Sequence, residues 1–161
     1  AVKTEKDRLG LWKALLDDKI DVLATDHAPH TLEEKNNVYT KAPSGGPLVQ
    51  HAVVALLEKV KEGVIPIEKL VEKMSHNPAK LFQIKKRGFI KEGFYADLVL
   101  IDPNTSWTVT KDNILYKCGW SPFEGTTFSS TITHTFINGN LIYNEGVFND
   151  DIKGKRLTFN R

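Results

Sequence analysis

Cysteine is nearly absent from this sequence: Cys118 is the only one in 161 residues. An internal disulfide is excluded, and so is any Cys-x-x-Cys zinc or redox pattern. A reducing, cytoplasmic setting is the simplest reading of that scarcity. No apolar run approaches the ~20 residues that a membrane-spanning helix needs, and no signal-peptide pattern is visible. Excess charge of either sign is also missing. The 22 basic and 20 acidic residues leave a net charge of +2, which gives no electrostatic case for a nucleic-acid or membrane-surface partner. There is no internal repeat and no low-complexity tract. An initiator methionine is lacking too. The chain opens on Ala1-Val2-Lys3 directly ahead of a helix start, so the expectation is that an upstream portion precedes it.

What is present suits a folded globular protein: 40% hydrophobic and 26% charged residues. Thr4 and Asp7 resemble a capping box, and Leu9, Leu11, Trp12, Leu15 and Leu16 recur at helical spacing, predicting a helix over 5–17. Residues 20–25 read as a short buried strand. A polar loop follows, through Pro43-Ser44-Gly45-Gly46-Pro47. Leu48, Val49, Ala52, Val53, Leu56, Leu57 and Val60 predict the buried face of a helix over 48–61, closed by Gly63. A further helix is expected from Ile67 to Met74, then a short one capped by Asn77 with Pro78 at its first position. Helix, strand, helix, helix is an α/β order.

After Lys85-Lys86-Arg87-Gly88 the pattern becomes β-rich. Asp97–Ile101 reads as a strand, with Trp107–Val109 as a plausible partner. Residues 131–137 and 141–143 flank Asn138-Gly139-Asn140, a hairpin signal. The expected domain boundary is therefore near residue 85.

The densest chemistry lies at residues 24–35. An apolar run, Ile20-Asp21-Val22-Leu23-Ala24, leads straight into Asp26, His27 and His30. A carboxylate at a strand end can ligate a cation or move a proton, because a rigid strand aims the side chain and a loop exposes it. It can equally form a turn or cap. His27 and His30 face one site only if the backbone curls through Pro29, and one of them can simply cover the loop. His51 and His76 read as structural and His134 as a strand surface residue. Ser44-Gly45-Gly46 precedes a helix, so its amides can hold an anion or merely form a turn. Glu33, Glu34 and Lys35 read as a solvated charge cluster. Trp12 reads as a core anchor, with Trp107 and Trp120 open between core and interface. A catalytic zinc takes three protein ligands, and this stretch does not complete such a set.

Ala24-Thr25-Asp26-His27-Ala28-Pro29-His30-Thr31 resembles the last-strand motif of dihydroorotases in the amidohydrolase superfamily. Lys41 to Pro47 is similar to that family's Ala-Pro loop. Lys117-Cys118-Gly119-Trp120-Ser121-Pro122-Phe123-Glu124-Gly125 resembles a further segment of the group. Gly93 to Asp102, with the hairpin at Ile137-Asn138-Gly139, looks like the superfamily's small β domain.

The resemblance covers almost the whole chain. It implies an α/β fold: residues 1–85 as the last strand and helices of a TIM-like (β/α)8 barrel, and residues 86–161 as the C-terminal part of a small β-sandwich domain. It implies metal-dependent, reversible hydrolysis of cyclic dihydroorotate to N-carbamoyl-L-aspartate in pyrimidine synthesis. Asp26 would be both metal ligand and proton shuttle. His30, Ala42, Pro43 and Gly45 would meet the substrate carboxylate, and His27 carries no implied role. One or two zinc ions would be the cofactor, with the other ligands upstream. A complete barrel takes ~250 residues, so the segment alone is expected to be inactive. Its partners would be a small-molecule substrate, the N-terminal remainder of the protein, and a second copy or aspartate transcarbamoylase. A hydantoinase- or allantoinase-type enzyme, or a non-catalytic dihydroorotase-like scaffold, would share the barrel and β domain.

Overall fold

The computed structural model describes residues 2–160. Helix α1, Glu5–Leu16, starts at Thr4, whose side chain accepts the N–H of Asp7 while the Asp7 carboxylate accepts the N–H of Thr4. A one-turn helix α2 follows at Leu32–Lys35. Then come α3 at Ala52–Lys61, α4 at Ile67–Val71, a π-helical turn at Glu72–His76 and α5 at Asn77–Leu81. The second half holds β1 (Leu98–Asp102), β2 (Trp107–Thr108), a 3-10 turn at Lys111–Asn113, β3 (Thr127–Phe128), β4 (Thr131–Ile137), β5 (Asn140–Asn144) and β6 (Val147–Phe148).

The described residues form two compact units interleaved along the chain. The first takes in the chain up to Leu23, Lys59–Ile101, and the residues from Ile132 on; the second takes in Ala24–Glu58 and Asp102–Thr131.

In the first unit, Pro78 explains the irregular helix. It has no N–H to give to residue 74, and its ring crowds that carbonyl. The preceding turn widens, and the N–H of Asn77 reaches back to Glu72 instead of Lys73. The freed carbonyl of Lys73 accepts the N–H of Leu23 at 3.1 Å. Asn77 is itself helical, so it does not cap; its side chain donates to the carbonyl of Asp21 at 2.9 Å. Two expectations are corrected here. The helix expected to stop at Met74 continues through the widened turn. Residues 20–25 form no strand, because the backbone group of Leu23 pairs with a helix carbonyl and not with a ladder. Lys73, only 1% exposed, extends its ammonium to Asp18, 2.9 Å away, and Lys69 reaches the same carboxylate at 2.7 Å.

The same unit holds a four-stranded sheet in the order β1-β4-β5-β6. Strands β4 and β5 are antiparallel, with His134 opposite Asn144 and Ile137 opposite Asn140. Both turn residues, Asn138 and Gly139, have positive φ (53° and 82°), as the tight hairpin requires. Asp97 accepts the N–H of Asn138 at 2.8 Å and is paired with Arg87, whose guanidinium lies over Tyr95.

In the second unit β2 pairs with β3, Trp107 opposite Phe128. The expectation of β2 as partner to the 97–101 strand is therefore corrected. Helix α3 begins at Ala52, four residues later than its apolar pattern suggests, and Val49 is 58% exposed. The core of this unit is aromatic. His51, fully buried, lies within 5.6–6.1 Å of the ring centres of Trp107, Tyr116, Phe123 and Phe128. Burial there pushes the imidazole towards its neutral form and pushes the Tyr116 phenol up.

Backbone N–H groups of Gln50 and Phe123 donate to the Tyr116 and Ser121 hydroxyls. Both hydroxyls also lie within hydrogen-bond reach of His51 Nδ1, at 3.3 and 3.0 Å. Nε2 is buried, with no hydrogen-bond partner among the described residues.

Candidate active site

Three segments meet in the second unit, residues 26–35, 42–48 and the distant 116–123. Asp26 opens the first. It is exposed, and its φ of 43° places it in the left-handed region. Among non-glycine residues that conformation is uncommon, though Asp tolerates it better than most, and it clusters at functional sites.

His27 is next, and it holds the second segment. Its backbone forms a parallel bridge with Gly46, and the N–H of Ala28 donates to the Gly46 carbonyl at 3.1 Å. His27 Nδ1 accepts the N–H groups of Leu48 (3.0 Å) and Val49 (3.4 Å). The imidazole thus satisfies amide donors just ahead of α3, as a capping side chain does. The backbone does curl through Pro29, with the N–H of His30 donating to the Ala28 carbonyl at 2.9 Å. His27 serves the loop and His30 is released from it.

The His30 side chain is 38% exposed, with Nδ1 3.4 Å from Glu34 Oε2. Its carbonyl accepts the indole N–H of Trp120 at 2.8 Å. That bond joins the third segment to the first. Trp120 also lies beneath Gly46, where a side chain would come within 3.7 Å of the indole.

Ala42 and Pro43 are half-buried and Gly45 is exposed. Lys35 fixes this loop: its ammonium donates to the carbonyls of Pro43 (2.7 Å) and Gly45 (2.8 Å). Glu34 is fixed in turn by the capping box of α2. Its carboxylate accepts the Thr31 N–H at 2.9 Å, and its own N–H donates to Thr31 Oγ1 at 3.2 Å. The Thr31 N–H first, and then His30, hold the Glu34 carboxyl below the usual range.

The reading of Glu33, Glu34 and Lys35 as a solvated cluster is therefore corrected for two of the three. Glu34 faces His30, and Lys35 straps the loop. The signal was available in the sequence as Thr31-x-x-Glu34, a capping-box spacing.

Asp26 is a single carboxylate, and among the described residues no three His, Cys, Asp or Glu side chains converge as a metal site. A catalytic zinc takes three protein ligands. The described residues do not by themselves fit such a centre.

A sequence profile of the Amidohydrolase family matches residues 2–142. A dihydroorotase of Pyrococcus furiosus is 40% identical over 154 residues, covering 96% of this chain and 34% of the relative. One from Clostridium acetobutylicum is 37% identical over 145 residues, covering 89% and 34%. This chain thus spans about a third of the length of these relatives. Among solved structures, a D-hydantoinase (dihydropyrimidinase) from Thermus sp. superposes with a TM-score of 0.81 at 28% identity, covering 91% of this chain and 33% of that one. The inactive dihydroorotase-like domain of a Chaetomium thermophilum CAD-like multifunctional protein superposes at 0.66 with 21% identity, covering 94% and 40%. That last likeness concerns the fold alone.

Proposed function

Because this chain belongs to the amidohydrolase family, we propose that it is the C-terminal portion of a dihydroorotase. In that reading residues 1–85 are the end of a TIM-like barrel and residues 86–161 belong to a small β-sandwich domain. The observation that carries it is likeness to dihydroorotases at 35–40% identity across 96% of the chain. The meeting of Asp26, His30 and the 42–46 loop in one compact unit supports it. The remainder of the protein completes the fold, and the span of only about a third of those relatives supports that. The setting proposed is cytoplasmic.

The chemistry asked of this chain is modest. Asp26 takes a proton from the attacking water as the cyclic amide opens and returns it to the leaving nitrogen. His30 donates to the carboxylate of dihydroorotate, and the backbone of Ala42 to Gly45 lines the same group. The loop is strapped by Lys35, so little ordering remains when substrate enters. Zinc enters only as the expectation that Asp26 is one ligand and that the others lie outside these residues.

Turnover by the complete protein tests the reading. Dihydroorotate is the expected substrate, and Asp26→Asn should lower kcat by roughly 10²–10⁴ while leaving the thermal unfolding midpoint nearly unchanged. Preference for hydantoin or allantoin over dihydroorotate would move the assignment to a hydantoinase-type enzyme, the second reading, which the structural likeness to hydantoinases favours. Absence of turnover with any of the three would indicate a non-catalytic scaffold.

A further inference from the structure

We propose that Glu34 is a positioning residue for His30, holding its imidazole through Nδ1 so that Nε2 is presented to the substrate carboxylate. The proposal rests on the reading of this chain as dihydroorotase and goes beyond it, since nothing in that reading gives Glu34 a task.

Three observations carry it. First, the carboxylate is tethered. It accepts the Thr31 N–H at 2.9 Å while the Glu34 N–H donates to Thr31 Oγ1 at 3.2 Å, so the capping box restrains the side chain more than an exposed glutamate is ordinarily restrained. Second, from that place Oε2 stands 3.4 Å from His30 Nδ1. Third, the other end of His30 is also secured, because its carbonyl accepts the Trp120 indole N–H. The backbone and Nδ1 of His30 are thus both engaged, and Nε2 is the ring atom left to meet a ligand.

The chemistry follows from donor and acceptor counting. A carboxylate is an acceptor only, so beside it Nδ1 carries a proton. A neutral ring with its proton on Nδ1 offers only a lone pair at Nε2, which repels a carboxylate. A ring protonated at both nitrogens offers an N–H to Glu34 and another to the substrate. A carboxylate behind an imidazole sets the orientation of the ring, as it does at metal sites.

The neighbouring residue strengthens the argument. Lys35, one position on, holds the carbonyls of Pro43 and Gly45. The single turn α2 therefore sets both elements assigned to the substrate carboxylate: the imidazole through Glu34 and the loop through Lys35.

Glu34→Gln in the complete protein isolates the charge, because glutamine serves a capping box as well as glutamate does. The expected result is a KM for dihydroorotate raised roughly three- to tenfold with kcat within about twofold of the parent. Glu34→Asp, which restores the charge at shorter reach, should recover part of the loss. A second readout needs no turnover: the ¹⁵N shifts of the His30 ring should change in Glu34→Gln, because the charge facing Nδ1 is gone. Thr31→Ala is the control for a purely structural role; it should lower the unfolding midpoint more than it alters KM. An unchanged KM and unchanged ¹⁵N shifts in Glu34→Gln overturn the proposal. So does a Glu34→Gln phenotype that matches Thr31→Ala in both stability and KM. Failure of the parent protein to turn over dihydroorotate would instead count against the reading of the function, with the ¹⁵N result still deciding the Glu34–His30 relationship.

Discussion

Gly45 rests directly on Ala28: a Cβ at position 45 would lie 2.6 Å from the Ala28 Cβ. This contact, with the bridge between His27 and Gly46, is how the aspartate-bearing segment and the loop are held together. The approach is open only to glycine, since Gly45 also has a φ of 86°.

Gly45→Ala should therefore separate the two segments. Overpacking of this kind costs about 1–3 kcal/mol, and a left-handed alanine adds about 1–2 kcal/mol. Chemical denaturation should show a lowered midpoint with an unchanged m-value. On the proposed reading, KM of the complete protein should rise more than kcat falls, because the loop would line the substrate carboxylate and not the reacting bond. A variant with parental stability and KM would show that the loop is not held by this contact.

The buried His51 makes stability depend on pH near neutrality. Desolvation lowers its pKa in the folded state, so the unfolded chain binds the proton more tightly. Its contribution is complete above the unfolded value of about 6.5 and is lost as pH falls towards the lower folded value. Protonation would place a charge among four aromatic rings. Unfolding midpoints measured from pH 8 to pH 5 should fall through this window. His51→Gln, which cannot titrate and can still accept a hydrogen bond, should flatten that slope relative to the parent.

Asp18 governs stability at the acid end. Hydrogen bonds from Lys69 first, and then Lys73, lower its pKa from 3.8 to about 2. The folded carboxyl binds its proton more weakly than the unfolded one. The stabilisation is therefore complete above pH 3.8 and is lost as pH falls through about 2. A carboxyl-detected NMR titration should find the Asp18 midpoint near 2. Asp18→Asn should lower the unfolding midpoint at pH 7, because the buried Lys73 ammonium loses its anionic partner. No loss of stability in that variant would show that the Lys73 ammonium does not depend on Asp18.

Much of the molecule follows from local sequence alone. The Thr4 and Thr31 capping boxes, the turn at Asn138-Gly139 and the apolar periodicity of α3 rest on hydrogen bonds or dihedral preferences spanning a few residues, and such preferences are legible wherever they occur. The pairing of Asp26 with His30 as candidate residues is legible for the same reason, since both lie in one short motif.

Other features depended on partners far away in the chain. Residues 20–25 have the composition of a strand, but whether they become one depends on a ladder. Pro78 widened a helical turn, freed the carbonyl of Lys73 and offered it to Leu23 instead. Trp107 found its partner at Phe128 rather than in the nearer strand. The division of labour between the two histidines was likewise decided by tertiary structure: His27 went to the amides ahead of α3, and His30 stayed free to face Glu34. A sequence lists which groups can donate and accept; only the folded chain brings a particular donor within 3 Å of a particular acceptor, and that distance sets each side chain's task.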